Sequence, residues 1–569
     1  MHRRPASTRT ATRRSASDRA LPDRQAPSAL VRRRLTIALA LAPAALPWLA
    51  RAATAMPTET PNPATPPLRP ASPVPIDPAR LRPWASEIVS LLTNAADDGL
   101  DPADYGAARL RAALELVAAN PLASEASARL DAALLAAWLR YLSDLRIGRV
   151  DPRQVRQAYR VPAGGAFEPA AAVEAALAAG SLGPALRAAT PPLPMYGELR
   201  KALASCRALA AHAAWQQPLP PLPKLPGRGA SAKLEAGQDW AGAGQLAQRL
   251  AAWGDLAAVP VPAPTQLDEP LVEALRAFQN RHGLNDDGVL GPATLNALQV
   301  TPAQRAQQIV LTLERLRWTP LLQGPRMIVV NLPEFVLRAY DVQPDGRIVM
   351  RERMKVIVGR ALNTRTPQFD ELMRHVEFSP YWNVPSSIAR RELVPRLRRD
   401  PDYFAREGFE FVDGSGQVAP ALSAARLDAV MAGTLRIRQR PGKRNALGDV
   451  KFVFPNRDSI YLHHTPATGL FARDRRDFSH GCIRVEQPVA LARFVLQDEP
   501  GWTEERIRAA MAAGTSTTQR LSQPLPVLIS YGTALVLGGR LHFFDDIYGH
   551  DRVLQAALQQ PRYHELPVP

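Results

Sequence analysis

A cysteine and three histidines lie close together in the segment IYLHHTPATGLFARDRRDFSHGCIRV, residues 460–485. They are Cys482, His463, His464 and His480, in a chain of 569 residues that has only two cysteines and ten histidines. The thiolate form of cysteine is the nucleophile, but a free thiol is mostly protonated at neutral pH. An imidazole beside the thiol can remove its proton, or can stay charged and stabilise the thiolate. The segment therefore predicts covalent catalysis by Cys482 with one of these histidines as its partner.

The residues around Cys482 favour acyl transfer. Gly481 allows a sharp turn that leaves backbone N–H groups facing a developing oxyanion, and one such donor contributes about 3 kcal/mol. Arg484 lies two residues beyond Cys482, on the same face of a strand, where it could hold a substrate carboxylate or steady the loop. Because neighbours on a strand face opposite ways, only one of His463 and His464 should reach the thiol.

Two other uses of these residues fit the same pattern. Two or three histidines and a cysteine can bind zinc, although no second cysteine lies near Cys482. Alternatively, the thiol and the rings are buried and inert. The second cysteine, Cys206, lies in the helical pattern ELRKALASCRALAAHAAW, where a small buried thiol is the usual role, so we expect no disulfide between the two. We predict a nucleophile that needs neither a metal nor a cofactor.

The elements that must position these residues are mostly β in pattern. Segments rich in Val, Ile, Tyr and Phe and bounded by turn residues recur from residue 326 onward, which favours strands. They include KFVFPN and SIYLHH, predicted to form a hairpin through NRD, and the C-terminal PVLISYGTALVLGGRLHFFDDIYG with its Gly-Gly turn. A helix is predicted at 489–497. Helical segments at 386–433 interrupt the strands, so we predict a mostly β catalytic domain over 325–557 with a long helical insertion.

Helical patterns precede this domain. Apolar residues repeat at three- and four-residue steps from 79 to 216, which predicts a helical scaffold domain. A compact unit at 265–300 has apolar residues on one helical face, an NDDG turn and a proline that opens a second helix. A linking helix is predicted for 301–324, and proline-rich linkers for 56–78 and 217–264. The chain is therefore predicted to be a multidomain α+β protein.

Much of the formal charge of +17 is concentrated at the N-terminus. Residues 1–52 contain eleven Arg and two Asp, and the rest is mildly basic without a zinc-finger spacing or an aromatic nucleic-acid motif. A basic run at residues 32–34, a sixteen-residue apolar stretch and small-residue cleavage patterns are typical of an export signal. The apolar stretch is short for a membrane span. We predict an export signal over 1–55, cleaved after Sec or twin-arginine export, with no nucleic-acid partner and no stable transmembrane anchor.

Two segments resemble known families. Residues 267–299 carry the AFQ…HGL…DG…GPAT signature of the small three-helix peptidoglycan-binding domain almost whole. The segment YLHHTPATGLFARDRRDFSHGCIRV resembles the active-site motif of the L,D-transpeptidases with a YkuD-type catalytic domain: a His, a gap, then S/T-H-G-C, an aliphatic residue and an Arg. Together with SPYWNVP and NALG, the order of segments resembles the large periplasmic members from Gram-negative bacteria. The likeness covers roughly residues 79–557.

The resemblance implies a role for each residue of the site. It makes Cys482 the nucleophile and His463 the general base, and the departure from the family pattern is His464, where the large members usually have Asp. Supporting roles fall on His464, Ser479, His480, Gly481 and Arg484. Candidate substrate-binding residues are Tyr381, Trp382, Asn383, Asn445, Gly448 and Tyr461.

The resemblance also implies the reaction. The thiolate would attack the carbonyl of the third residue of a donor tetrapeptide stem in peptidoglycan, release D-Ala and leave a thioester, which an amine of a second stem resolves as a 3→3 cross-link. The insertion would act as a lid that excludes water. Water as acceptor would instead make an L,D-carboxypeptidase, some relatives attach or release lipoproteins, and a non-catalytic wall-binding scaffold is a further alternative. The implied partners are stem peptides and glycan strands, the implied inhibitors are carbapenems, and the implied location is the periplasm.

Overall fold

The computed structural model describes residues 76–119, 124–155, 157, 159, 167–223, 233–321, 324–361 and 364–560. The export signal predicted for 1–55 and most of the linker predicted for 56–78 lie outside the described residues. No helix of the described part is both long and apolar enough to cross a membrane. The described chain forms a helical region, a small helical module and a β-rich domain in that order, which confirms the multidomain α+β prediction.

The first region is all helical, as predicted. Its α-helices are α1 (Ala85–Thr93), α2 (Ala107–Ala119), α3 (Ser124–Ile147), α4 (Pro169–Ala178), α5 (Gly183–Ala189) and α6 (Pro194–Ala208). Short 3₁₀ turns lie at Pro78–Trp84, Asn94–Asp98, Pro102–Tyr105, Pro152–Val155, Leu209–Ala211 and Ala213–Trp215. Leu130, Leu134, Trp138 and Leu142 of α3 are all buried. Their spacing of four residues places them on one stripe of the helix, which forms the middle of the core.

Three further helices form a small module with a core of its own: α7 (Ala243–Ala252), α8 (Glu269–Arg281) and α9 (Pro292–Gln299). The helix α7 lies inside the segment predicted as a linker, 217–264, so that segment is not wholly a linker. Its sequence AGAGQLAQRLAA has few large apolar residues, and its helical character depends on packing Leu246 and Leu250 against α8.

A linking helix, α10 (Pro302–Trp318), follows α9 almost directly. Thr301 and Gln304 form a capping box in which each side chain accepts the backbone N–H of the other residue. Proline at the first helical position suits this start because its missing N–H would have no partner there. The predicted linking helix is therefore present, and it begins without a flexible spacer after the module.

Buried ionic contacts join α10 to the helical region. Arg317 Nη1 donates to Glu314 Oε2 at 2.6 Å, and Arg317 Nη2 donates to the Tyr196 hydroxyl at 2.9 Å. The backbone N–H of Val150 donates to the other oxygen of Glu314 at 2.8 Å. Because both charged side chains are buried, each depends on the other for its neutralisation.

We expect Arg317→Met to destabilise the protein by about 3–5 kcal/mol, because the Glu314 carboxylate would remain buried without its cation. Urea unfolding of the purified chain, followed by circular dichroism, measures this change in the free energy of unfolding. Arg508→Met is the matched control, since Arg508 forms a solvent-exposed pair with Glu504 and such pairs contribute little. Equal unfolding midpoints for the two variants would contradict a stabilising role for the buried pair.

The β-rich domain is built on a nine-stranded sheet with the order β11-β3-β12-β10-β9-β4-β13-β1-β2. Its strands are β1 (Arg326–Asn331), β2 (Val336–Val342), β3 (Ile348–Gly359), β4 (Phe369–Phe378), β9 (Val450–Val453), β10 (Leu462–His463), β11 (Asp477–Ser479), β12 (Ile483–Val485) and β13 (Thr517–Ser530). Because β2 also pairs with β3, eight of the strands close into a barrel, and β11 adds to β3 outside that ring.

Alternation along the strands separates a core face from an outer face. Phe452, Leu462 and Ile483, from three adjacent strands, are fully buried in one apolar cluster. Helices α15 (Pro488–Leu496) and α16 (Glu504–Ala512) contribute to the same cluster, and α17 (His550–Leu558) follows the last strand. The helix predicted at 489–497 is confirmed. The β9–β10 hairpin is also confirmed, although its connection is longer than NRD alone.

The insertion at 386–433 contains the predicted helical segments and two strands in addition. The helical segments are α11 (Ser386–Ile388), a π-helical turn (Ala389–Leu393), α12 (Val394–Arg399), α13 (Asp402–Arg406) and α14 (Ala424–Ala432). The strands β6 (Phe409–Val412) and β7 (Val418–Ala419) join two flanking strands, β5 (Trp382–Asn383) and β8 (Arg436–Gln439), in a sheet of order β5-β8-β6-β7. These strands have at most four residues. A stretch that short has too few alternating apolar and polar positions to predict a strand rather than a loop.

A last hairpin, β14 (Ala534–Leu537) and β15 (Arg540–Phe543), contacts the helical module. Gly538 and Gly539 make its two-residue turn with positive φ values of 56° and 74°, as the predicted Gly-Gly turn requires. Arg540 Nη2 donates to Asp255 Oδ1 of the module at 2.8 Å. The module is therefore fixed to the β-rich domain by this hairpin as well as by α10.

Candidate active site

The predicted nucleophile, Cys482, lies in a tight turn between β11 and β12. Gly481 has a φ of 119°, a conformation that residues with a side chain rarely adopt. The Ser479 hydroxyl donates to the Cys482 carbonyl at 2.6 Å and accepts the N–H of Gly481 at 3.1 Å. Ser479 thus holds the two ends of the turn together.

Two threonines that are not predicted from the sequence hydrogen-bond to the backbone of this turn. Thr364 donates through its hydroxyl to the Ser479 carbonyl at 3.0 Å, and Thr366 donates to the Gly481 carbonyl at 2.7 Å. No local pattern predicts these contacts, because both residues lie in the connection between β3 and β4, more than a hundred residues before the turn.

Strand register brings the predicted catalytic residues to one face of the barrel. In the parallel β10–β12 pair, Leu462 is opposite Ile483 and His463 is opposite Arg484. Since Leu462 and Ile483 point into the core, His463 and Arg484 point to the other face. Cys482 directly precedes Ile483, so continued alternation puts it on the face of His463 and Arg484, level with Tyr461, two residues before His463.

The surroundings of His463 keep its ring neutral. The side chain is buried, with 3% of the residue exposed. Burial first, and the charge of Arg484 second, lower its pKa to about 3. Its Nδ1 lies 2.5 Å from the backbone carbonyl of His464, an acceptor, so Nδ1 carries the ring proton. The backbone of Leu447 is a second hydrogen-bond partner of the ring. With the proton on Nδ1, Nε2 is the unprotonated nitrogen.

Cys482 is partly exposed and is also neutral at rest. Burial raises the pKa of its thiol above the ordinary value, and hydrogen bonds with Tyr461 and the charges of Lys451 and Arg484 oppose that rise. Its Sγ is 3.7 Å from the carbonyl of Ser459. A neutral thiol and a neutral imidazole on one face of the sheet favour proton removal during attack over the alternative of a charged imidazole that stabilises a standing thiolate.

His464 turns away from this pair. Its Nδ1 lies 2.6 Å from Asp449 Oδ1, and its backbone N–H donates to the carbonyl of Val450 at 3.0 Å. The two adjacent histidines therefore have different environments: His463 is buried near Tyr461 and Arg484, and His464 faces a carboxylate. His480, also predicted to support the site, has its Nε2 2.7 Å from Glu392 Oε1, in the π-helical turn of the insertion. The insertion thus contacts the nucleophile turn directly.

A row of charged side chains crosses the same outer face, and one member was missed from the sequence. Lys451 on β9 is opposite His463 and also opposite Glu377 on β4, to which its Nζ is bound at 3.0 Å. With Arg484, it places a cation on each side of His463. The alternation of Lys451 with the buried Phe452 was the signal available in the sequence.

The predicted substrate-binding residues are divided between open and buried positions. Asn383 is exposed, and Trp382 is half-buried against Phe409 of the insertion. The Tyr381 ring lies under the Arg438 guanidinium at 4.3 Å. Tyr461 is next to His463, with ring centroids 5.7 Å apart. Of these residues, Tyr461 contacts Cys482, and contact of any of them with substrate stays a prediction.

Asn445 and Gly448 have structural positions in the same loop. Asn445 is 1% exposed, and its amide donates to the carbonyls of Pro380 and Arg440, each at 3.0 Å. Gly448 has a φ of 65°, and a Cβ there would lie 2.7 Å from the His464 ring. Both residues therefore shape the loop beside the histidines, and the predicted substrate contact stays untested.

No group of three or more His, Cys, Asp and Glu side chains in the described part of the chain could hold a metal ion. Cys206 is buried in α6, and neither it nor Cys482 forms a disulfide. The site described here consists of a partly exposed thiol, a buried neutral imidazole and two cations on one face of the sheet.

Three segments match known domain families. Residues 325–517 match the YkuD L,D-transpeptidase catalytic domain, residues 69–203 match a scaffold domain, and residues 242–298 match the "Putative peptidoglycan binding domain". The third match begins at α7, whereas the sequence predicts a linker up to residue 264.

Two individual proteins are similar to this chain. A protein of Haemophilus influenzae named "Putative L,D-transpeptidase" is 35% identical over 251 residues, which are 44% of this chain and 49% of that protein. The chain thus spans about half the length of this curated relative. The crystal structure of an L,D-transpeptidase (Yku) from Stackebrandtia nassauensis is 13% identical and covers 55% of this chain and 97% of its own. Its TM-score of 0.22 is too low to support an argument about the fold.

Proposed function

We propose that this chain, which contains an L,D-transpeptidase catalytic domain at residues 325–517 and a peptidoglycan-binding domain at residues 242–298, cross-links the stem peptides of peptidoglycan through a thioester on Cys482. The observation that carries the proposal is the shared face of Cys482 and His463, with His463 neutral and its Nδ1 proton held by a carbonyl. That arrangement supplies a nucleophile and an acceptor for its proton.

In the first step, Sγ of Cys482 attacks the carbonyl carbon of the third residue of a donor tetrapeptide. His463 Nε2 takes the thiol proton and returns it to the amine of the terminal D-Ala as the peptide bond breaks. The N–H groups of Gly481 and Ile483 are donated to Ser479 Oγ and to the Tyr461 carbonyl. The N–H of Cys482 is therefore the candidate donor to the oxyanion.

In the second step, the side-chain amine of the third residue of another stem attacks the thioester carbonyl. His463 Nε2 takes a proton from the amine and gives it to the departing sulfur, which restores the thiol and leaves a 3→3 amide cross-link. Arg484 and Lys451 lie on the same face as the reacting atoms. Their charges attract the carboxylates that stem peptides carry.

The insertion is assigned the role of a lid over this face. Its support is the hydrogen bond between His480 of the nucleophile turn and Glu392 of the insertion. Excluding water from the thioester would favour the amine as acceptor over hydrolysis. The module would hold the glycan or peptide of the wall, and the helical region would serve as a scaffold for both.

The cell-wall-acting domains indicate an extracytoplasmic location. A periplasmic location, a cleaved export signal over 1–55 and inhibition by carbapenems are further parts of the proposal. The signal lies outside the described residues, and its support is the pattern of residues 32–55.

Incubation of the purified protein with tetrapeptide muropeptides, with products identified by mass, tests the proposal. Peptide-linked dimers with release of D-Ala are expected. Tripeptide monomers alone would indicate an L,D-carboxypeptidase, transfer of the donor peptide to a lipoprotein added to the mixture would indicate lipoprotein attachment, and unchanged substrate would indicate a non-catalytic wall-binding scaffold. Each of these three outcomes would overturn the cross-linking assignment.

A further inference from the structure

The ring of His463 also has a contact at Nδ1, which takes no part in the proton transfers made by Nε2. Its Nδ1 proton is held by the carbonyl of His464 at 2.5 Å. The position of that carbonyl therefore decides which ring nitrogen of His463 is protonated and where Nε2 points. Whatever fixes the His464 peptide group also fixes the base.

His464 is itself held at three points, two on its side chain and one on its backbone. Its Nδ1 lies 2.6 Å from Asp449 Oδ1. Its ring packs against Gly448 so closely that a Cβ added to Gly448 would lie 2.8 Å from the His464 Cβ and Cγ. Its backbone N–H donates to the carbonyl of Val450 at 3.0 Å. The His464 side chain is thus clamped to the loop of residues 448–450.

That loop is anchored in turn. The Asn445 amide donates to the carbonyls of Pro380 and Arg440, and its Oδ1 accepts the N–H of Leu447 at 2.8 Å. Asn445 is buried, so these bonds are shielded from competing water. The anchored loop presents the Asp449 carboxylate to His464 from a fixed position.

We propose that Asp449 and His464 are positioning residues for the base, which hold the carbonyl that orients His463. Neither residue faces the thiol, so both act through His463 rather than on substrate. The inference rests on the proposed function, because it assigns these residues to the proton transfer made by His463. Its physical basis is preorganisation: a base whose tautomer and direction are fixed before substrate arrives spends less free energy on ordering in the transition state.

The test compares Asp449→Ala with Asp449→Asn in the full chain. The alanine variant removes the acceptor of the His464 ring, whereas the asparagine variant keeps an oxygen that can accept the same hydrogen bond. We expect Asp449→Ala to lower kcat for dimer formation about ten-fold with KM changed less than two-fold, and to slow thioester formation by a similar factor. Asp449→Asn should recover most of the loss. Asp345→Ala is the matched control, since Asp345 pairs with Arg347 at 2.6 Å in an exposed turn away from the site.

A readout independent of turnover is the ring tautomer of His463, followed by ¹⁵N NMR of histidine-labelled protein. The wild type should show the Nδ1-protonated form, and Asp449→Ala a mixture of both neutral forms. Wild-type rates together with an unchanged tautomer in Asp449→Ala would overturn the inference. So would a loss of activity that merely follows a lowered melting temperature.

The two proposals fail separately. A wild-type protein that forms neither dimers nor a thioester would refute the proposed function, and the NMR comparison would still decide the positioning of His463. A wild-type protein that is active, with Asp449→Ala equally active, would refute the positioning role alone.

Discussion

Cys482→Ala is expected to abolish both dimer formation and the covalent carbapenem adduct, with any remaining rate below about one thousandth of the wild type. The thiol sulfur is the atom that forms the thioester, and the hydroxyl of the same turn cannot replace it, because Ser479 is buried and bound to the Cys482 carbonyl. Intact-protein mass spectrometry after incubation with a carbapenem measures the adduct, and muropeptide analysis measures the dimer.

The chain provides its own matched control for this substitution. Cys206 is the other cysteine, and it is buried in α6, where burial raises the pKa of its thiol to about 11. Cys206→Ala should keep full adduct formation and full cross-linking, with at most a small loss of stability. An adduct that persists in Cys482→Ala and disappears in Cys206→Ala would reverse the assignment of the nucleophile.

His463→Ala should lower the rate of thioester formation by about 10²–10⁴-fold, the usual contribution of a general base. Because the pKa of His463 is lowered to about 3, its ring stays unprotonated at all pH values above that point. The wild-type rate should therefore show no acidic limb near pH 6.5 and should rise toward alkaline pH, as the Cys482 thiol begins to ionise. Stopped-flow acylation by a carbapenem between pH 5 and 9 provides both measurements.

Two comparisons make this prediction specific. His464→Ala should be much less impaired than His463→Ala, since its ring faces Asp449 and not the thiol. His212→Ala, in an exposed turn of the helical region, should not change the rate. A larger loss in His464→Ala than in His463→Ala would exchange the roles assigned to the two rings.

The sequence was most informative where function depends on neighbouring residues. Gly481 and Ser479 are next to Cys482, and their turn could be anticipated from residue type alone. Strand alternation also predicted that the rings of His463 and His464 would point in different directions, and the structure has them so. Local geometry follows from local sequence at these positions.

Contacts between distant segments could not be predicted in the same way. Thr364 and Thr366 reach the nucleophile turn only because the pairing of β3 with β12 places the β3–β4 connection beside it. The hydrophobic periodicity of a single sequence does not indicate which distant segments pair. The entropic cost of bringing such segments together is likewise absent from local helix and strand propensities. The same limit explains the insertion, whose short strands are stabilised by a shared core around Phe404 and Phe411 rather than by their own pattern.

The rigid connection through α10 sets the distance between the small helical module and the catalytic residues of the proposed enzyme. The capping box at Thr301 leaves no slack after α9, and the contact of Arg540 with Asp255 fixes the module from a second side. The helix itself has seventeen residues and so spans about 25 Å. A glycan strand bound by the module would therefore be held at a fixed distance from Cys482. Stems nearer or farther along that strand would have to be brought to the thiol by release and rebinding, not by the swing of a tether.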